Sequence, residues 1–218
     1  MRTRRTPLDR STIVTEAVRL ADADGIGAIT MRRLAESLGF KVMSLYNHVA
    51  SKDELLGLMV DAVAGEIADT DPETAPMTAV RELALEFRVA LVRHPWAPGL
   101  WNRHMPGPAR TTQMETLLRL LAASALAPDL AHHGFHAVNN HVLGYTLQEQ
   151  AMTLDQQYGD DPEAAARDFV GSLNPEAFPH TIDHVNVHLD GHAESSFELV
   201  LDLILDGLVR LNASGMSS

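Results

Sequence analysis

Apolar positions recur at intervals of three and four along almost the whole chain. No segment alternates with a period of two over a useful length, so the pattern predicts an all-α protein. Asp9 is placed to cap a first helix carrying Ile13, Ala17 and Leu20 at helical spacing, with Gly25 beyond its end. Thr30 is placed to cap a second, Met31 to Leu38, stopped by Gly39; a third is expected from about Val42 to Val49. Ser51, with Glu54 three residues on, gives the capping-box start of a fourth that continues to about Ile67. Residues 69–76 (DTDPETAP) read as an acidic, proline-bearing connection. Beyond it a helix from Met77 to Arg93 puts Val80, Leu83, Ala84, Phe87 and Leu91 on one face. Residues 94–108 are expected to be irregular apart from one short helix. Further helices are expected over 109–126, 130–153, 162–172, 176–189 and 194–211, with Asp129 and Asp161-Pro162 marking two of the starts. The division this suggests is a basic N-terminal arm (1–8), a three-helix helix-turn-helix domain with its connecting helix (9–68) and a second helical domain (69–218).

Charge changes this picture. The net charge is −12, which alone argues against a nucleic-acid partner. Residues 1–52, however, hold nine Lys/Arg against five Asp/Glu, whereas the remainder holds eight against twenty-four. Both lysines, Lys41 and Lys52, fall in the first part. A basic head on an acidic body fits a DNA-binding domain joined to a domain with another task. Cysteine is absent, which excludes disulfides and thiolate metal sites. The longest apolar run, Leu55 to Val60, includes Gly57 and stops at Asp61, far short of a membrane span. The basic N-terminus has no apolar stretch behind it, so no export signal is expected and a cytoplasmic location is.

The chemistry concentrates in residues 30–56. Leu34, Ala35 and Leu38 of the second helix and Leu45 and Val49 of the third would face each other across the turn made by Gly39. This leaves Lys41, Val42, Met43, Ser44, Tyr46, Asn47 and His48 on or beside the outer face of a short helix. Such a helix fits a major groove about 12 Å wide. Lys41, Ser44 and Tyr46 have donors for phosphates, and Lys41 and Ser44 for base edges; Val42 and Met43 suit a thymine methyl. His48 and Lys52 lie where the helix leaves the groove, suited to phosphate. Thr30 and Arg32 combine a helix N-terminus with a hydroxyl and a guanidinium. Arg4 and Arg5, with Arg2, form an arm suited to a minor groove or to the backbone.

These residues resemble the DNA-binding domain of the TetR family of bacterial transcriptional repressors. The resemblance rests on Gly25–Thr30 (GIGAIT), Arg33-Leu34-Ala35, Leu38-Gly39, Leu45-Tyr46, His48 and Lys52-Asp53-Glu54-Leu55-Leu56. It covers about residues 9–67. It implies a homodimer that binds a palindromic operator and leaves it when a small molecule binds the C-terminal domain. Arg93-His94-Pro95-Trp96 and the closing FELVLDLILDGLVRL resemble the tetracycline-repressor branch. The region after Trp96 departs from that branch, and no tetracycline–magnesium ligand set is carried over.

For the effector the expected residues are Trp96, Trp101, His104, Met105, Asn140, Tyr145, Gln148 and Met152, a mixture of aromatic, soft apolar and polar groups. For the dimer they are Phe135 and Val142 on one helix and Phe197, Leu201, Ile204, Leu205 and Leu208 on the last, paired as a four-helix interface. Eleven histidines are present. His180, His184, His188 and His192 fall four apart, and His184 with His188 is the best pair for a metal. Both flank the helix face defined by Phe178, Ile182, Val185 and Leu189, as half-exposed polar residues ordinarily do, and no metal site or cofactor is assigned. His132, His133, His136 and His141 form a second group with the same reading. A metal-dependent enzyme built on these helices, and a DNA-binding activator, are the competing readings. The chain contains no HExxH, nucleophile elbow or phosphate-cradling glycine loop, and no catalytic residue is assigned.

Overall fold

In the computed structural model, which describes residues 8–154, 161–189 and 196–215, ten α-helices follow one another and no strand occurs among the described residues. The first three form the head: α1 (Arg10–Asp24), α2 (Met31–Leu38) and α3 (Val42–Tyr46). Helix α4 (Lys52–Ala64) connects the head to the body, which is built from α5 (Pro76–Arg93), α6 (Pro108–Ala123), α7 (Pro128–Leu154), α8 (Pro162–Ser172), α9 (Pro179–Leu189) and α10 (Ser196–Ala213). Short 3₁₀ turns cover Ile26–Ala28 and Pro98–Leu100.

Local chemistry accounts for the boundaries of the head. The Asp9 carboxylate accepts the Thr12 N–H at 2.7 Å and opens α1. The Thr30 hydroxyl accepts the Arg33 N–H at 3.1 Å and opens α2. Gly39, at φ 72, reverses the chain in the left-handed region while the Phe40 N–H returns to the Ala35 carbonyl at 2.9 Å. Helix α3 ends at Tyr46, three residues short of the expected Val49. The cause lies just downstream. Ser51 must be extended (φ −154, ψ 166) to cap α4, and the Glu54 carboxylate takes the Ala50 N–H at 2.6 Å, so the chain leaves the helix by residue 50. Val49 stays fully buried even so, because the turn closes tightly on the Leu45 carbonyl.

Proline sets the body's boundaries: α5, α6, α7, α8 and α9 each begin with one. At the first helical position the missing N–H is no loss and the fixed φ is already helical. The expected starts at 77, 109, 130 and 176 therefore move to 76, 108, 128 and 179, while α10 begins at Ser196. Helix α7 is central, packing against α5, α6 and α10, while α8 and α9 pack on each other. Helix α4 touches α1 on one side and α5 and α6 on the other. The buried apolar core runs continuously from Ile13, Leu34, Leu45 and Leu55 in the head, through Met59 and Val63 of α4, to Phe87, Leu91, Leu121, Val142 and Leu201 in the body.

Candidate DNA interface and effector cavity

Leu45 is fully buried against the head core and fixes the rotation of α3. Met43 is thereby turned outward, 72% exposed, and Tyr46 follows at 42%. Lys41, Asn47 and Lys52 are exposed, and Val42, Ser44 and His48 are half-buried along the same surface. Arg32 projects from the first turn of α2, 3.7 Å from Glu36 across an exposed face. Arg33 is committed within the head, donating to Asp24 at 2.6 Å. Arg4 and Arg5 lie outside the described residues. On and around this one-and-a-half-turn helix, Thr30, Arg32, Lys41, Met43, Tyr46, Asn47 and Lys52 are thus exposed, and Val42, Ser44 and His48 half-buried.

A residue outside the sequence reading braces that helix. Arg10, from the first turn of α1, donates to the His48 carbonyl at 3.0 Å and to Glu54 at 3.1 Å. Since Glu54 also holds the Ala50 amide, one guanidinium ties together the end of the recognition helix, the turn after it and the start of α4. Its signal in the sequence is faint: one basic residue at a helix start, where the helix dipole disfavours it.

Three contacts join α4 to the body. Near its start, His104 lies 3.7 Å from Asp53. In the middle, the two Asp61 carboxylate oxygens accept the Arg110 N–H at 2.9 Å and the Ala109 N–H at 3.2 Å, so a residue of α4 caps α6 from outside. Helix α6 has no side-chain cap from Gly107, the residue at its own N-cap position. Arg110, 3% exposed, gathers the carbonyls of Trp101, His104 and Met105, and burial pushes its guanidinium below the usual arginine value against the opposing pull of Asp61. Past the end of α4, His94, 4% exposed, has Nδ1 2.8 Å from Asp22 of α1 and Nε2 3.1 Å from Glu66. Asp22 also accepts the Trp96 indole N–H at 2.7 Å, and Glu66 accepts from Arg93 at 2.8 Å. Burial pushes the Glu66 carboxyl up, but the hydrogen bonds from His94 and Arg93 outweigh it and hold the group below the usual glutamate value.

A cavity of about 230 Å³ opens where the end of α4 meets α5 and α6. It is lined by Ala64, Gly65, Ile67, Asp69, Leu83, Ala109, Thr112, Gln113 and Thr116, and Gln113 is a buried polar group on its wall. The residues expected for the effector lie off this cavity. Trp96 and Trp101 are core, the first spending its N–H on Asp22 and the second packing on Phe87 with ring centroids 4.7 Å apart. His104 is turned into the joint with α4; Met105, Asn140 and Gln148 are exposed. Tyr145 packs edge-on against Phe197 beneath Arg88. The side chain of Met152 lies outside the described residues.

The expected dimer residues also have other duties. Val142, Phe197, Leu201, Leu205 and Leu208 are buried within one chain, where α10 packs on α7; Phe135 and Ile204 are half-buried against the same core. What α10 leaves outward is a second apolar row, Leu199, Leu203 and Leu211 with Gly207 between them. Among the described residues no group of three or more His, Asp or Glu gathers as a metal-binding set. His132, His133 and His136 contact one another edge to edge on an exposed face. His188 and His192 lie in segments whose side chains are outside the described residues.

A compact helix-turn-helix head, one continuous helix leading from it and a helical body with a cavity at that helix's far end define a ligand-responsive DNA-binding regulator. Residues 13–59 match the model described as bacterial regulatory proteins of the tetR family, and residues 71–211 that of the tetracyclin repressor-like C-terminal domain. The chain belongs to the TetR family of transcriptional regulators. It is similar to an HTH-type transcriptional regulator of Saccharopolyspora erythraea, 34% identical over 70% of this chain and 65% of that protein, just under two thirds of its length. It is also similar to the class G tetracycline repressor of Vibrio anguillarum, 29% identical over 82% of this chain and 84% of that one. Among solved structures, ActR of Streptomyces coelicolor in complex with actinorhodin superposes with a TM-score of 0.83 at 28% identity, covering 97% of this chain and all of that one.

Proposed function

We propose that the protein is a homodimeric repressor, acting in the cytoplasm and not as an enzyme, that holds a palindromic operator through α2 and α3. It releases the operator when a small molecule fills the cavity between α4, α5 and α6. The observation that carries this reading is the path of α4. The helix is capped by Ser51 directly after the recognition helix, and its far end, Ala64 and Gly65, is the cavity wall. A ligand that prefers one position of that wall shifts the head by the same lever, and by no more than its difference in affinity for the two positions. Apolar Ala64, Ile67, Leu83 and Ala109 beside Asp69, Thr112, Gln113 and Thr116 suit a small effector that combines an apolar part with several hydrogen-bonding groups. The likeness to tetracycline repressors and to ActR with bound actinorhodin supports a small-molecule effector. The second copy fits the outer row of α10, where the small Gly207 lets two helices approach closely. The residues assigned to DNA are Thr30, Arg32, Lys41, Val42, Met43, Ser44, Tyr46, Asn47, His48 and Lys52, with Arg4 and Arg5 on the arm.

The test is a footprint on the DNA flanking the protein's own gene. A protected palindrome is expected, with affinity falling steeply as salt rises. Absence of any protected palindrome there would overturn the reading, and a reporter that loses expression when the gene is deleted would make the protein an activator. Compounds that stabilise the protein in a thermal screen, by about 2.7 kcal/mol at a hundred times their dissociation constant, identify effectors.

A further inference from the structure

We propose that His94, as an imidazolium, is the positioning residue that straps the reading head to the effector body. The inference rests on the regulator reading above, in which head position is the output. Its basis is hydrogen-bond arithmetic. Both ring nitrogens of His94 face carboxylate oxygens, Asp22 at 2.8 Å and Glu66 at 3.1 Å. An ionised carboxylate only accepts, so both contacts are bonds only if both nitrogens carry a proton. Each facing oxygen also takes a second donor, which favours the ionised carboxylate. Asp22 is occupied by the Trp96 indole N–H at 2.7 Å, and Glu66 by Arg93 at 2.8 Å. The groups facing the ring, among the described residues, are therefore Asp22 from α1, Glu66 from the turn after α4, and Arg93 and Trp96 from its own segment.

Position gives this cluster its meaning. Asp22 lies near the end of α1, and Glu66 lies two residues past α4. His94 is the first residue after α5, which belongs to the body. One buried ring thus bonds the head, the connecting helix and the body at one point. Removing one proton leaves a ring lone pair against a carboxylate in a site 4% exposed, which converts one bond into a repulsion. The sign follows: the strap is closed when the ring is protonated and opens as pH rises. Head orientation, and with it the spacing of two paired heads, then depends on a single proton.

The chain lacks cysteine, so two introduced cysteines report one distance. Spin labels at Thr15→Cys on α1 and Glu86→Cys on α5, both exposed positions, span the joint. Labelled full-length protein is diluted into an excess of unlabelled protein, so that only distances within one chain are read. At about pH 5.5 a single narrow distance distribution is expected, and at about pH 9 a broader one, a span that crosses histidine deprotonation in general. His94→Gln should be broad at both values and insensitive to pH. His104→Gln, which removes the other histidine at the joint, should keep the response. Distributions in the unaltered chain that match at the two values overturn the proposal, and so does a pH response that survives in His94→Gln. The series on the labelled chain that keeps His94 does not depend on a His94 variant folding. It uses neither DNA nor effector, so its failure is separable from a failed footprint.

Discussion

Gly107 is glycine because of its neighbour and not because of its backbone. Its φ is −82, open to any residue. A Cβ there would sit 2.5 Å from the Asp61 carboxyl carbon and within 2.7 Å of both carboxylate oxygens. Gly107→Ala therefore forces Asp61 off the start of α6 and breaks its bonds to the Ala109 and Arg110 amides. Losing an N-cap costs about 1–2 kcal/mol. Opposing this, alanine in place of glycine at a compatible φ stabilises by about 0.4–1 kcal/mol through the unfolded chain. The cap loss wins, and a net destabilisation of about 1 kcal/mol is expected. Asp61→Ala loses the same cap and should cost about 1–2 kcal/mol. With Asp61 already removed, Gly107→Ala meets no obstacle and should be neutral or stabilising by about 0.5 kcal/mol. The double-mutant cycle should therefore show a coupling of about 1–2 kcal/mol, read from urea midpoints at fixed protein concentration and unchanged slope. Costs that simply add would refute the claim that Gly107 exists to admit the Asp61 cap.

Other outcomes follow from the same geometry. Lys41→Ala should leave the melting temperature within about 0.5 kcal/mol of stability and lower the salt slope of DNA binding by about one, whereas Met43→Ala should alter preference among operator variants more than salt slope; binding titrations at several salt concentrations separate the two. Leu203→Asp, on the outer row of α10, should give monomers by light scattering, while Leu201→Ala, buried on the inner row, should cost about 2–5 kcal/mol with the dimer retained. Because the Glu66 carboxyl is held below its usual value, its contribution to stability is present above the ordinary glutamate range and is lost as pH falls through its folded value; Glu66→Gln should flatten that acid limb in a denaturation series, and an unchanged limb would show that Glu66 is not held ionised by His94 and Arg93.

Much of the head was legible because its signals are local. A cap at Asp9, Thr30 or Ser51 acts within three residues, and Gly39 acts on its own φ. The early end of α3 was hidden because Val49 keeps helical spacing with Leu45 and is buried whether or not the helix continues. The body's boundaries were legible in principle, in five prolines that each open a helix, but only Pro162 was read so. The α10 residues were ambiguous for a different reason. That helix is apolar on two faces, and periodicity locates a stripe without saying which partner covers it. Phe197, Leu201, Leu205 and Leu208 are buried against α7 of their own chain, whereas Leu199 and Leu203 are exposed. The cavity had no compositional signal at all. Ala64, Ala109 and Thr112 are ordinary helix residues, and a cavity is the space three helices leave, whereas Trp96 and Trp101 are buried core residues outside its lining.

The coupling between head and body was nevertheless written on one face of one helix. Asp53, Gly57, Asp61 and Gly65 fall every fourth residue along α4, an alternation of carboxylate and no side chain. A periodic reading for hydrophobic stripes passes over it. Asp53 lies beside His104, and a Cβ at Gly57 would touch the same residue, with His104 Cβ 3.4 Å away; Asp61 caps α6, and a Cβ at Gly65 would touch Ala109 at 3.7 Å. A helix held only at its ends could bend to absorb a push. This one also meets the body at Asp53 and Asp61, and it leads directly back to Ser51 and the Arg10 clamp on His48. A side chain larger than alanine at Gly57 or Gly65 must enter the joint itself, and it should alter the response to effector more than it alters the fold.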